Sequence, residues 1–338
     1  MLSFFRTLLW PVSLIYRSGI LLWDVYWRHA ERFKVSARVI SVGNIVAGGT
    51  GKTPLTIHIA NLAASRGLKT AVVAGGYKRR GRGVIEVEDN SSWSDVGDEP
   101  LEIRRLTEGA RVYVGESKTG AALRATADGA EIIVVDDGFQ HRRLYRDVDI
   151  VCLDSRQPFE SGSLLPSGML REPASALERA DIIVFTEYTP GSNLRVPAVI
   201  RNSPAQLFWS SSAIIGFEKA GTQQLDDIAQ LARLRTFAFC GLASPDRFLD
   251  VLHRIGVRPV GFKSFGDHHV YSQKDIDYMM REARGLGAEA FLTTHKDAVK
   301  LETMDFGDVT LYLAMLEVKI HDQFGRDRSR ELMTRLGL

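Results

Sequence analysis

Six consecutive residues, Gly48-Gly-Thr-Gly-Lys-Thr53, have the composition of a backbone cradle for phosphate. Gly48, Gly49 and Gly51 carry no Cβ, so their N–H groups and that of Thr50 can turn inward around anionic oxygens. Lys52 is placed to reach the terminal phosphates, the Thr53 hydroxyl to meet Mg²⁺, and Pro54 gives up an N–H that has no partner in a first helical turn. The formal loop pattern asks for a glycine five residues before Gly51, where Val46 stands. A second set of groups closes the apolar run Glu131-Ile-Ile-Val-Val135: Asp136 and Asp137, followed by Gly138-Phe-Gln140-His141. Acids at a strand end beside a phosphate loop hold a metal directly or through water. Asp267-His268-His269 joins a carboxylate to two imidazoles, which suits proton transfer, metal ligation or a loop cap. Asp98 and Glu99 open a helical pattern, where spacing alone favours the cap reading over chemistry. Lys78, Arg79, Arg80 and Arg82 stand among glycines in Gly75–Gly83, either to hold an anionic group or as a solvated loop.

These groups need a scaffold that brings strand ends together. Val39–Val42, Lys69–Ala74, Glu131–Asp137, Val148–Leu153 and Ala180–Thr186 read as strands, and Leu55–Leu62 and Leu101–Leu106 as helices between them. That alternation predicts an α/β fold, a phosphate-loop parallel sheet with helices on both faces. Leu164–Pro173 and Pro190–Pro204 read as loops from their Pro, Gly, Ser and Asn. A second, smaller α/β lobe follows, with strands at Arg235–Gly241 and Ala290–Thr294 and helices at Asp246–Ile255 and Gln273–Arg284. With 338 residues two domains are expected, divided near 205–230, so that residues 31–225 form the phosphate-loop lobe and 226–338 the smaller one. Thr294–Asp297 has only a loose likeness to a guanine-reading motif and assigns no base preference. Net charge is +2, which gives no case for nucleic-acid binding. Cys152 and Cys240 sit in apolar runs without a Cys/His ligand cluster, as in a reduced compartment without structural zinc.

Residues 1–28 differ from everything that follows. Their longest uncharged run, Thr7 to Tyr16, is ten residues, against the ~20 of a spanning helix. Arg6, Ser13, Arg17, Asp24 and Arg28 align on one side of a helix, opposite a broad apolar arc. Residues 1–30 are therefore expected to form an amphipathic helix lying in a membrane interface, with Trp10, Tyr16, Trp23, Tyr26 and Trp27 at headgroup level. A tilted or re-entrant helix and a helix packed on the protein's own core are the alternatives. Arg28, Arg32, Lys34 and Arg38 outnumber Glu31 just beyond, which favours an anionic leaflet.

Gly43-Asn44, Gly48–Pro54, Gly97-Asp-Glu-Pro100, Asp136-Asp-Gly-Phe-Gln-His141, Leu170-Arg-Glu-Pro173, Phe265 with Asp267-His-His269, and Lys296-Asp-Ala-Val299 together closely resemble the tetraacyldisaccharide 4'-kinase family of lipid A biosynthesis. Val46 is no departure there, since these enzymes also lack the first loop glycine; Gly75-Gly-Tyr77 and His295 are departures. The resemblance implies transfer of the ATP γ-phosphoryl to the 4'-hydroxyl of a tetraacyl glucosamine disaccharide 1-phosphate, at the cytoplasmic face of the inner membrane. It implies Asp98 as base with His268 as its partner, Lys52 on the phosphates, and Thr53, Asp136 and Asp137 on Mg²⁺. Gln140, His141, Glu172, His269, Arg79 and Arg80 are the further site candidates. No obligate protein partner is expected. The competing reading is a membrane-docked nucleotide switch that acts through a protein partner.

Overall fold

In the computed structural model, residues 2–76, 79–160, 162–222 and 224–338 are described, with residues 2–8 as backbone only. Tyr77 and Lys78 of the basic loop and the side chain of Arg6 lie outside the described residues. Alternation along the apolar strands decides which helix packs where. Val39 of β1 (Arg38–Gly43), Ala71 and Val73 of β2 (Thr70–Gly75), and Ile133 and Val135 of β5 (Ile132–Asp136) point to one face. There they meet Ala121, Ala122 and Ala125 of the helix Lys118–Ala127. Ile40, Val42, Val72, Ala74 and Val134 point to the other face and bury Leu55 and Ile59 of α2 (Lys52–Ala64) with Leu101 and Ile103 of the helix Asp98–Leu106. Each such Leu or Ile contributes roughly 1.5–3 kcal/mol.

The sheet also contains β3 (Ile85–Val87), β4 (Arg111–Gly115), β6 (Val148–Asp154), β7 (Ile182–Thr186), β8 (Gln206–Lys219), β9 (Leu225–Asp226), β10 (Thr236–Cys240), β11 (Gly261–Ser264), β12 (Ala290–Thr294) and β13 (Thr310–His321). Its order is β11-β10-β12-β13-β8-β7-β6-β1-β5-β2-β4-β3, with β9 added to β8. All pairings are parallel except β3 with β4, β8 with β9, and β8 with β13. The stretch 205–230, where the sequence suggested a division, holds β8. Its first residues pair with β7, and the strand then runs antiparallel to β13, whose Thr310–Ala314 end pairs with β12. The polar run Ser210-Ser-Ser212 hides this strand from a search for alternating apolar residues. Beyond the ribbon, Ala238 and Cys240 pack on Phe248 and Leu252 of the helix Pro245–Arg254. Phe237 and Phe239 pack on Ile276 and Met279 of the helix Gln273–Gly285.

The N-terminal residues form one helix, α1 (Leu2–His29). Its narrow stripe of Ser13, Asp24 and Trp27 faces the protein: Ser13 Oγ donates to Ser167 Oγ (2.8 Å) and Asp24 accepts from Arg142 (2.6 Å). Tyr16 Oη donates to the Arg171 carbonyl at 3.0 Å. Trp27, expected at headgroup level, is instead buried on the docked stripe, its ring edge-on to the exposed Trp23 and Tyr26. The apolar arc is turned away from the protein, with Ile15 74%, Leu22 73% and Tyr26 58% exposed. Among the described residues no helix is long and apolar enough to cross a membrane.

Candidate active site

The candidate groups gather at the carboxyl ends of the parallel strands, where open α/β sheets bind ligands. The chain leaves β1 at Gly43, where a Cβ would meet Phe139 at 2.5 Å, and enters the phosphate loop. Gly48 and Gly51 hold φ of 116° and 71°, a region that glycine enters without strain. Gly51 caps α2, so the loop N–H groups and the helix dipole share one focus. Asn44 Nδ2 donates to Thr50 Oγ1 (2.8 Å) and Thr186 Oγ1 donates to the Thr50 carbonyl (3.0 Å), fixing the loop from both sides.

Lys52 Nζ lies 3.6 Å from Asp137 Oδ1. Arg171 donates to the same carboxylate at 2.9 and 3.2 Å. Burial pushes the Asp137 carboxyl up, but Lys52, Lys118 and Arg171 overcome this and hold it below the usual range. Asp137 has φ 48°, uncommon for a non-glycine residue, so its position is imposed by its surroundings. Lys118, which the sequence reading did not single out, donates to the carbonyls of Asp136 (2.6 Å) and Asp137 (2.5 Å). Its one sequence signal is a cation in the first turn of a helix, where the dipole disfavours it. Asp136 is buried and accepts from Thr56 Oγ1 (2.9 Å); burial, with Glu99 adding to it, pushes its carboxyl up to about 6.

This donor set fits Mg²⁺. No group of three or more protein ligands occurs among the described residues, and Mg²⁺ ordinarily takes one or two carboxylates, a hydroxyl, water and substrate phosphates. Asp136, whose buried carboxyl is raised to about 6, and the partly open Asp137 beside Lys52 are such carboxylates, and Thr53 stands in the first turn of α2 directly after Lys52.

Asp98 begins its helix after Gly97, whose φ is 98°. Its side chain is 9% exposed; Oδ1 accepts the Glu99 N–H (3.0 Å), and Oδ2 accepts from His268 Nδ1 (2.8 Å). His268 arrives from the loop after β11, with φ 55°. Burial pushes the Asp98 carboxyl up, but the His268 hydrogen bond and the Lys300 and Lys296 ammonium groups outweigh it and leave it below the usual range. The same hydrogen bond raises His268 above its ordinary value, against burial and Lys296. A carboxylate and an imidazole brought together from distant parts of the chain can orient a hydroxyl and take its proton.

The remaining candidates separate into groups. Gln140 Nε2 donates to the Asn44 carbonyl (2.8 Å) and to Glu172 (3.0 Å), so it touches the base of the phosphate loop. Glu172 is buried and also accepts from Arg142 (3.2 Å) and Arg179 (2.7 Å). Asp24, Arg142, Glu172, Gln140, Asn44 and Thr50 thus form an unbroken polar chain from α1 to the loop. His141 meets Thr119 Oγ1 at 3.1 Å, and burial with Lys118 nearby pushes its imidazole down to about 4, so it is neutral at pH 7. His269 stacks on Phe265 (4.6 Å), stands edge-on to Tyr271 (5.0 Å) and meets Asp275 at 3.4 Å, contacts of a packing residue. Arg79 donates to the Gly83 carbonyl within its own loop (2.5 Å), and the Arg80 N–H donates to the Ser94 carbonyl (2.8 Å). The basic loop therefore lies along residues 94–97, just ahead of Asp98, with Gly76 Cα 3.5 Å from the point a Gly97 Cβ would occupy.

The sequence matches the family described as tetraacyldisaccharide-1-P 4'-kinase over residues 5–334. The chain belongs to this kinase family. Among its relatives, the tetraacyldisaccharide 4'-kinase of Syntrophus aciditrophicus is 37% identical over 94% of this chain and 90% of that one. The enzyme of the same description from Geobacter metallireducens is 35% identical over 84% of both. The fold is similar to the crystal structure of LpxK from Aquifex aeolicus in complex with ATP, with a TM-score of 0.80 and 29% identity over 98% of this chain and 99% of that one. As a tetraacyldisaccharide-1-P 4'-kinase family member, the chain is an enzyme that phosphorylates its acceptor at a 4'-position.

Proposed function

We infer that the residues gathered here transfer the γ-phosphoryl of Mg·ATP to the 4'-hydroxyl of a tetraacyl glucosamine disaccharide 1-phosphate at a membrane surface. The observation that carries this reading is the 2.8 Å Asp98–His268 pair at the same strand-end edge of the sheet as a glycine loop whose Lys52 faces Asp137. Asp98 takes the acceptor hydroxyl proton as that oxygen bonds the γ-phosphorus and the bond from phosphorus to the β,γ-bridging oxygen breaks, releasing ADP, and His268 holds the carboxylate in line. The loop N–H groups of Gly48–Thr53 and Lys52 receive the β- and γ-phosphates, and Thr53, Asp136 and Asp137 would hold Mg²⁺. When bound, the cation neutralises phosphate charge and aligns donor and acceptor. The basic loop with Arg79 and Arg80, laid beside Asp98, is suited to the acceptor's own phosphate.

The exposed apolar arc of α1 supports seating in the interface on the cytoplasmic side of the inner membrane, with residues 1–30 as the anchor. Residues 31–225 serve as the donor lobe and 226–338, which supply His268, as the smaller lobe. A pure nucleotide switch has no use for a carboxylate–imidazole pair at its phosphate loop, which favours the kinase. The deciding experiment incubates the full chain with Mg·ATP and the detergent-dispersed acceptor and weighs the product by mass spectrometry. A gain of one phosphate on the acceptor is expected; ATP consumption without phosphorylated lipid would sink the reading.

A further inference from the structure

Among the described residues Lys300 is the most buried cation near the dyad: its side chain is 1% exposed, and no hydrogen bond among them satisfies its Nζ. An ammonium withdrawn from water to this degree costs several kcal/mol unless carboxylates face it. Two do. Nζ stands 3.3 Å from Asp297 Oδ1 and 3.7 Å from Asp98 Oδ2, the oxygen that also receives His268. Asp297 has no need of Lys300 for its hydrogen bonds. It is fully buried and already accepts from the Gly241 N–H (3.0 Å), the Thr294 hydroxyl (2.9 Å) and the Tyr271 hydroxyl (3.0 Å). Those bonds fasten the ends of β10 and β12 to the loop carrying His268. Asp98, by contrast, has one imidazole and a backbone N–H.

Without the ammonium, the two carboxylates that flank it, Asp98 and Asp297, would stand buried with no cation between them, and repulsion would favour protonating or displacing one of them. We propose that Lys300 is a positioning residue for the phosphoryl-transfer base, holding the Asp98 carboxylate anionic and aligned on His268 from a site that no substrate can touch. This rests on the reading of Asp98 as base. It also explains why the dyad is assembled from both halves of the chain: Lys300 ties Asp98 to the Asp297 clasp at the same point where His268 engages it.

The test uses the full-length chain with the detergent-dispersed acceptor. Lys300→Met and Lys300→Gln remove the charge, Lys300→Arg keeps it, and Lys300→Met is also made in an Asp98→Asn background. The groups facing Asp98 are His268, Lys296, Glu99, Asp297 and, one turn along its own helix, Glu102, whose carboxyl burial pushes up to about 8 against Lys296. Each is present in every variant, so a displaced pH limb reports the loss of Lys300. The neutral variants should lose at least tenfold in kcat near neutral pH through lost alignment of the carboxylate on His268, which stays ionised there, leave KM for ATP within twofold, and separately move the acidic limb of the kcat profile up by about one unit. Lys300→Arg should keep the limb in place. In the Asp98→Asn background, Lys300→Met should cost less than a further twofold, because the group it acts through is gone.

An unmoved acidic limb, an equal loss with and without Asp98, or failure of both neutral variants to fold would each overturn the proposal and leave Lys300 an architectural residue. A wild-type chain that phosphorylates no acceptor would refute the kinase reading instead.

Discussion

Replacing Asp98 by asparagine tests the centre of the reading with little steric change. The side chain keeps its volume and an oxygen to receive the Glu99 N–H, while the negative charge facing His268 and Lys300 disappears. General-base removal costs about 10²–10⁴ in rate, or roughly 2.7–5.5 kcal/mol of barrier. The phosphate loop, Lys52 and Asp137 are untouched, so KM for ATP should stay within about threefold. The assay is single-turnover formation of phosphorylated lipid at saturating Mg·ATP. A second readout follows the His268 ring by NMR: its raised titration depends first on the Asp98 hydrogen bond, so in the variant it should fall towards or below ordinary histidine values. Stability gives a third. Asp98 is held low, so its contribution is present above roughly pH 4 and lost as pH falls through its folded value. His268 is held high, so its contribution is full below roughly pH 6.5 and lost as pH rises through its folded value. The stability gap between wild type and Asp98→Asn should therefore be widest between about pH 4 and 6.5. A kcat within threefold of wild type, or an unmoved His268 titration, would refute the assignment.

Lys52→Ala should lower kcat/KM by about 10²-fold or more, since on the proposed reading it removes the cation beside the transferring phosphate; isothermal calorimetry with ATP separates binding from turnover. Chelation of divalent cations should abolish lipid phosphorylation, and added Mg²⁺ should restore it. Glu172→Gln leaves the half-buried Arg179 without its carboxylate and the buried Arg142 with Asp24 alone, a loss of about 3 kcal/mol or less read from the denaturant midpoint at constant m-value. Leu22→Asp with Trp23→Asp on the outward face of α1 should release the protein from anionic vesicles while leaving detergent-based activity within about threefold.

Much of this site was legible because its backbone chemistry is local. Gly48–Thr53 after an apolar strand, and Asp136-Asp137 at the end of another, declare themselves by residue type and order. Asp98 did not: a carboxylate at a helix start is an ordinary cap, and only resemblance to a family marked it, because the imidazole that changes its meaning lies 170 residues away in sequence. Lys118 and Lys300 were invisible for the same reason, each acquiring its role from partners that folding supplies. The helix 1–30 was recognised, but its orientation was only half read. Ser13 and Asp24 form the joint with the protein, since buried polar groups find complements there, and Trp27 follows them on the same stripe.

That joint has a consequence for how the acceptor is measured. The relay that runs from Asp24 through Arg142, Glu172 and Gln140 to Asn44 acts as a strut of fixed length between α1 and the donor loop. On the proposed seating of α1 in the interface, the height of the phosphate loop above the bilayer becomes a constant of the protein. The same seating then predicts that a headgroup rising to that height is within reach and a shorter one is not, a selection by elevation that precedes recognition of the sugar.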